Sequence, residues 1–402
     1  MKSPYFSVVI PTKGRSFLMA GAIESVLRQT FSDLELIVCD NDDGEATHEV
    51  VARFDDPRLR YHRTGNLSMP DNWDSGFAQA RGEYLLILED KQAFKLRSLE
   101  RIYRETEKDR PECLRWLVDW LDDTGSMTFV DRPKTTGKVR RVPSEEILEQ
   151  IANQDLDAVS RTLPIGHFSG FHRALRQRIQ NGAMHRLCPP VSPDYTLGFQ
   201  AVGYADSVCF FDEALVASSR VNSNGRSFVL KSGDLRHRFL KELGGGEEIF
   251  FDHSPVKAIT IPGSICNDYL RVRQAVGGRL LDFPMNWPNY FTEIHRFIVG
   301  CQENGVNMDP EQLAWRKGLQ EQTPDIQAQV AEALRARGPL WREKLHSFTK
   351  GIRRKTGLLG LEHAAKARLS LLFKRKLTGR FTTLLQYIEW EDSQAKGLIR
   401  DK

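Results

Sequence analysis

Closely spaced cysteines are missing from this 402-residue sequence. Cys39, Cys113, Cys188, Cys209, Cys266 and Cys301 lie far apart, and no CxxC pair occurs. That spacing argues against a zinc site and a disulfide framework, and it suits a reducing compartment. Also missing is an uninterrupted apolar run long enough to span a bilayer. Met1-Lys2-Ser3-Pro4 leads straight into a strand-like segment without the apolar stretch of a secretory signal, so a cytoplasmic protein is expected. Neither sign of charge dominates. The 57 Lys and Arg face 53 Asp and Glu, and a net charge of +4 gives no global reason to bind nucleic acid. What remains is an ordinary globular composition, 40% hydrophobic and 27% charged, able to bury a sizeable core in one large or two smaller domains.

The stretch that organises the chain is Gly82-Glu83-Tyr84-Leu85-Leu86-Ile87-Leu88-Glu89-Asp90-Lys91. Tyr84 to Leu88 is apolar on both faces, as a strand buried in a parallel sheet is, and it ends abruptly in charge. Ligands of open α/β sheets bind outside the carboxyl ends of the strands, so this acidic end is a candidate metal or phosphate site. Before it come strand-like runs at Phe6–Pro11, Leu34–Asp40 and Arg58–His62. Helix-like segments at Ala20–Gln29, Ala46–Phe54 and within Asn66–Ala80 separate them. This alternation predicts an α/β fold with a doubly wound, mostly parallel sheet. Thr12-Lys13-Gly14-Arg15 and Asp40-Asn41-Asp42-Asp43-Gly44 then join Glu89-Asp90-Lys91 on one edge. Asp40 to Asp43 also suits a turn or a helix cap.

Three of these segments, Ser7-Val8-Val9-Ile10-Pro11-Thr12, Glu24 to Phe31 and Leu36 to Asp42, resemble the opening of family 2 glycosyltransferases. Asn66-Leu67-Ser68 to Asn72 and Ala80 to Tyr84 resemble the part that leads into that family's metal-binding strand. The resemblance is dense over about the first 95 residues, where several spaced motifs agree in order and distance. It implies the GT-A fold of nucleotide-diphospho-sugar transferases. On that basis Pro11, Thr12 and Arg15 line a nucleotide pocket, Asp40 accepts a hydrogen bond from the base, Asp42 lies nearby, and Asn66 and Asn72 flank the donor. Asp90 falls in the acidic metal motif, with Glu89 as a second hard oxygen ligand for Mg²⁺ or Mn²⁺. The family usually has two or three aspartates there. Here Lys91 intervenes, and it either weakens the metal site or neutralises phosphate directly as a point charge.

Further along, Leu114 to Leu121 reads as a strand whose Trp116 and Trp120 stack on a sugar or pack in the core. Asp122 to Arg141 reads as a polar loop or hairpin, and Pro164 to Arg173 resembles the stretch before the family's acceptor site. Ser192-Pro193-Asp194-Tyr195 opens a helix, which makes Asp194 either an N-terminal cap or, by the resemblance, the catalytic base of an inverting transfer. Arg226 or Arg220, at a polar loop, is a candidate diphosphate clamp, and an ordinary surface loop fits the same residues. His253 is a candidate metal or phosphate ligand, although a lone histidine is more often structural.

The expected organisation is a GT-A domain over 1–300, with a nucleotide half at 1–95 and an acceptor half at 96–300. A basic, mainly helical extension follows over 301–402. Gln312 to Arg337 reads as helix. Trp341 to Arg380 carries many Lys and Arg against only Glu343 and Glu362, a pattern that suits an anionic membrane surface, a second subunit or packing on the catalytic domain. The resemblance implies a nucleotide-diphospho-sugar donor and a glycan or lipid-linked glycan acceptor, used in surface polysaccharide synthesis at the inner face of the membrane. Two other readings stand beside it: a catalytically impaired relative that binds nucleotide sugar or a partner, and a sugar nucleotidyltransferase. Against the second, the loop after the first strand is short.

Overall fold

The structure is a computed structural model that describes residues 3–122, 129–219, 241–243, 246–303, 305–336 and 383–400. Its strands are β1 (Phe6–Thr12), β2 (Leu34–Asp40), β3 (Leu59–Arg63), β4 (Tyr84–Ile87), β5 (Gln92–Phe94), β6 (Cys113–Asp122), β7 (Phe129–Asp131), β8 (Val139–Pro143), β9 (Ser169–His172) and β10 (Ser207–Ser219). They form one sheet in the order β3-β2-β1-β4-β9-β6-β10-β5, with β7 added to β6 and β8 to β10. The β3-β2-β1-β4 half is parallel, as is the β6–β10 pair, while β9 and β5 run antiparallel to their neighbours. Every residue of β1, β2 and β4 is buried, as expected of strands covered by helices on both faces.

The register fixes which residues share the carboxyl edge. Thr12 pairs with Asp40, and the Leu88 amide donates to the Val9 carbonyl, so Thr12, Asp40 and Asp90 emerge together. At the opposite edge the same three strands are tied by side chains. The Ser7 hydroxyl donates to Glu35 at 2.6 Å and accepts from the Gly82 amide at 2.7 Å. A Cβ on Gly82 would lie 2.5 Å from the Ser7 nitrogen, which is why glycine stands there.

Several elements differ from expectation. The first helix spans Ser16–Leu27, four residues earlier than its apolar periodicity suggests, because Phe17 in its first turn is 71% exposed. The polar stretch after β6 holds β7 and β8. β8 sits on the outside of the sheet with Arg140 and Arg141 facing solvent, so its sequence looks like a loop. The helix expected over Gln312–Arg337 is two helices, Asp309–Gln320 and Pro324–Ala336, and proline begins the second where no amide hydrogen is needed. The boundary expected at residue 300 falls inside the helix Trp287–Glu303. That helix shares a second apolar cluster with Val256, Cys266, Trp315 and Val330, so the helical layer begins well before residue 300.

The last described helix, Leu384–Arg400, packs back on the sheet. Its Tyr387 and Ile388 pack with Ala93 of β5, Leu121 of β6 and Ala217 of β10. The Tyr387 hydroxyl donates to buried Asp119 at 2.7 Å and accepts from Arg132, while Lys95 sits between Asp119 and Glu391 at 2.8 and 3.0 Å. The basic stretch Trp341 to Arg380 lies outside the described residues. Among those described, no helix is long and apolar enough to cross a membrane.

Candidate active site

Asp90 is the anchor of the carboxyl edge. Thr12 Oγ1 and Arg15 Nε both donate to its Oδ2, at 2.8 and 2.9 Å. Its Oδ1 is buried and has no hydrogen-bond partner among the described residues. Burial pushes the Asp90 carboxyl up to about 6, against the pull of Arg15 and Thr12. Beside it, Glu89 Oε2 lies 3.1 Å from Lys91 Nζ and accepts from Gln92 Nε2 at 2.7 Å. Burial acts to raise Glu89 as well, yet His167, Lys91 and Arg15 together hold it below its ordinary range.

The neighbouring loop is built by Asp42. Its carboxylate oxygens accept from the Gly14 amide at 2.8 and 2.7 Å, and Gly14 takes the left-handed φ of 66° that lets the loop turn toward Arg15. Buried Asp40 accepts from the Tyr61 hydroxyl at 2.6 Å and from the Asp42 amide at 3.1 Å. Pro11 lies within β1. Asn66 Oδ1 accepts from Lys13 Nζ at 2.8 Å, which draws it to the same edge. Asn72 is buried, where it accepts from Thr64 and the Cys39 thiol.

Asp194 is the second residue of the helix Pro193–Tyr204, in the first turn where a carboxylate meets free amide hydrogens. The approach to that helix is pinned by buried Asp268, whose two oxygens accept from the Val191 and Ser192 amides at 3.1 and 3.0 Å. Asp194 Oδ2 faces His167 Nδ1 at 3.6 Å, and their side chains are 20% and 15% exposed. Burial raises the Asp194 carboxyl and Glu89 adds to this, while His167 opposes it.

His253 is held by partners of its own. His253 lies in the segment that packs on the helix Ile261–Val276. Its amide donates to Asn267 Oδ1 and its ring lies 3.8 Å from Asp252. Among the described residues it shares no hydrogen-bond or ion-pair partner with Glu89 or Asp90, and Phe250 of the same segment packs in an apolar cluster with Val191 and Ile259. Arg226 and Arg220 lie outside the described residues. Of the two tryptophans, Trp116 is fully buried against Phe94, so stacking on a sugar is closed to it. Trp120 is half-buried beside Phe168.

Residues 7–180 match the family model described as Glycosyl transferase family 2. Over that segment, which is less than half of its length, the chain is similar to that family. Its mixed α/β fold, with a parallel β3-β2-β1-β4 half and helices on both faces, is GT-A-like. The GalNAc(5)-diNAcBac-PP-undecaprenol beta-1,3-glucosyltransferase of Campylobacter jejuni is 37% identical over 91 residues, which cover 22% of this chain and 29% of that protein. Glycosyltransferase GlyG of Streptococcus pneumoniae is 27% identical over 131 residues, 32% of this chain and 44% of the relative. The chain thus spans less than half the length of these curated relatives. Among solved structures, S. aureus TarS 1-349 in complex with UDP-GlcNAc aligns with a TM-score of 0.46 and 15% identity, over 84% of this chain and 92% of that one.

The family implies a divalent cation, and the donor set here fits one in a restricted way. No group of three or more His, Cys, Asp or Glu that could hold a metal occurs among the described residues. Asp90 Oδ1 offers one buried, unclaimed hard oxygen, which suits an ion that takes its other ligands from phosphates and water. Three contributors went unnoticed in the sequence. Tyr61 faces Asp40 across β2 and β3. His167 sits in a segment noted as a whole but without any motif spacing. Arg115 is a single buried cation in an apolar strand.

Proposed function

We propose that the protein is an inverting glycosyltransferase that moves a sugar from a nucleotide-diphospho-sugar donor to a hydroxyl of a glycan or lipid-linked glycan. The observation that carries this is Asp90: a buried carboxylate with one oxygen held by Thr12 and Arg15 and the other unclaimed, at the carboxyl edge of a family 2 sheet. Asp40 and Asp42 shape the nucleotide side, and Arg15 and Lys91 bring positive charge to the diphosphate. Asp194 takes the proton of the acceptor hydroxyl. The acceptor oxygen bonds to the anomeric carbon as the bond to the diphosphate oxygen breaks, and the nucleoside diphosphate leaves with the electron pair. One displacement inverts the configuration, and no carboxylate nucleophile is needed. A Mg²⁺ or Mn²⁺ ion held by Asp90 Oδ1 would neutralise charge on the leaving diphosphate.

The work belongs in the cytoplasm at the inner face of a membrane on this reading. Its support is the basic composition of Trp341 to Arg380, which suits an anionic lipid surface. A second reading, a donor-binding relative without turnover, is favoured by the Lys91–Glu89 contact at 3.1 Å, which draws a carboxylate away from any metal. The test is calorimetric titration with UDP, GDP, dTDP and CDP, with and without Mn²⁺, on the wild type and Asp90→Ala. Binding of one nucleotide that needs both metal and Asp90 supports the first reading and names the donor class. Metal-independent binding makes Lys91 the phosphate counter-charge. Absence of binding to all four removes the donor site.

A further inference from the structure

Arg115 of β6 is buried, yet no carboxylate pairs with it among the described residues. Among the described residues its guanidinium donates to backbone carbonyls, those of Ser160, Arg161 and Phe168, and it stacks over the Phe168 ring at 5.3 Å. A buried charge without a counter-ion is costly, so the segment it clamps merits a functional reason. That segment ends in the short helical turn Gly166–Phe168, which carries His167. The turn presses on the helix of Asp194. A Cβ on Gly166 would lie 2.8 Å from the Trp73 ring and 3.2 Å from the Asp194 Cα. The His167 ring packs edge-on against Phe168, with centroids 4.2 Å apart, and presents Nδ1 to Asp194 Oδ2 at 3.6 Å.

We infer that His167, clamped by Arg115, is a positioning residue that orients Asp194 through its Nδ1–H. This rests on the reading of Asp194 as the base. At 3.6 Å the contact is too long for a hydrogen bond, and such contacts shorten when a site fills. Once formed, the bond holds Oδ2 and turns Oδ1 toward the acceptor hydroxyl. The role needs the neutral ring with its proton on Nδ1. Burial, assisted by Lys91 and Arg115, keeps the imidazole below its usual range against Glu89 and Asp194. Those groups, with Tyr195 and the buried Cys188 thiol near Asp194, are the charged and titratable side chains that face the pair among the described residues.

The test exploits side-chain shape. The amide nitrogen of asparagine overlays Nδ1 of histidine, and that of glutamine overlays Nε2. Nucleoside diphosphate release is followed with UDP-glucose, UDP-N-acetylglucosamine, GDP-mannose and dTDP-glucose as donors and water as acceptor. His167→Ala is expected to lower kcat about 10–100-fold, the range typical of an outer-shell orienting partner, with nucleotide Kd unchanged. His167→Asn restores most of the loss and His167→Gln does not. Arg115→Lys lowers kcat in the same way and adds little to His167→Ala, because both act on one contact. Equal rescue by Asn and Gln, or a parallel rise in Kd, overturns the inference. Asp194→Asn separates the layers: if it retains turnover, the base assignment itself has failed. If no donor is turned over, the ¹⁵N spectrum of the His167 ring decides. A proton on Nδ1 whose signal moves in Asp194→Asn supports the inference, and a proton on Nε2 alone overturns it.

Discussion

Glu35→Gln tests how the fold aligns its site. Glu35 is buried at the amino edge of β2, where Oε1 accepts from the Ser7 hydroxyl and the Arg81 amide at 2.6 and 2.8 Å. Oε2 accepts from Arg60 and from two nitrogens of Arg81, at 2.9, 3.0 and 2.8 Å. Glutamine keeps one of these oxygens and turns the other into a donor that faces donors. A hydrogen bond to a charged group is worth roughly 1.5–3 kcal/mol and a neutral one about 1 kcal/mol. The Arg60 and Arg81 side chains are 35% and 57% exposed and regain water, which discounts the loss. The expected cost at neutral pH is therefore roughly 2–3 kcal/mol, read as a lower urea midpoint. Burial alone would raise the Glu35 carboxyl, but Ser7, Arg81 and Arg60 outweigh it and hold it below its ordinary range. A carboxyl lowered on folding stabilises above its unfolded pKa, and that contribution is lost as pH falls through the folded value. The gap between wild type and variant should thus be full at neutral pH and close in acid. Equal midpoints at neutral pH, or a gap that persists unchanged into acid, would refute the reasoning.

Tyr387→Phe removes the hydroxyl that links Asp119 to Arg132. It should cost about 1.5–3 kcal/mol in thermal or urea unfolding, because the acceptor is a buried carboxylate. Gly166→Ala forces the turn away from Trp73 and Asp194. It should lower turnover while nucleotide binding by calorimetry stays at the wild-type value.

The sequence made the left half of the sheet legible because β1, β2 and β4 are buried on both faces and end in charge. That run of apolar residues has no other ready explanation. The same logic fails for β8, which pairs with β10 and has adjacent exposed arginines, Arg140 and Arg141, between two valines, so that it reads as a loop. Asp194 follows a proline at a helix start, a local pattern that by itself fits an N-terminal cap, and its candidacy as the base comes from the family resemblance. His167 and Arg115 carry no such pattern. Their meaning comes from a turn brought against a distant helix, and nothing in their own neighbourhoods distinguishes His167 from His253. Only the packing separates them, since one ring faces Asp194 and the other is tied to Asp252.

The acidic motif is held from two directions, and this bears on why the chain returns to the sheet after so long an excursion. On one side Thr12 and Arg15 grip Asp90. On the other, β5 follows the motif directly and pairs with β10, while the Ser219 amide donates to the Lys91 carbonyl at 3.1 Å. β5 has three residues and lies at the end of the sheet order, so alone it is a weak support. The helix Leu384–Arg400 covers it: Tyr387 and Ile388 pack with Ala93, and Lys95, one residue beyond β5, bridges Asp119 to Glu391. A motif that must hold charged groups at fixed positions gains from a rigid strand behind it. In this molecule the helix Leu384–Arg400 supplies that backing, so it is packed into the same sheet that carries the acidic motif.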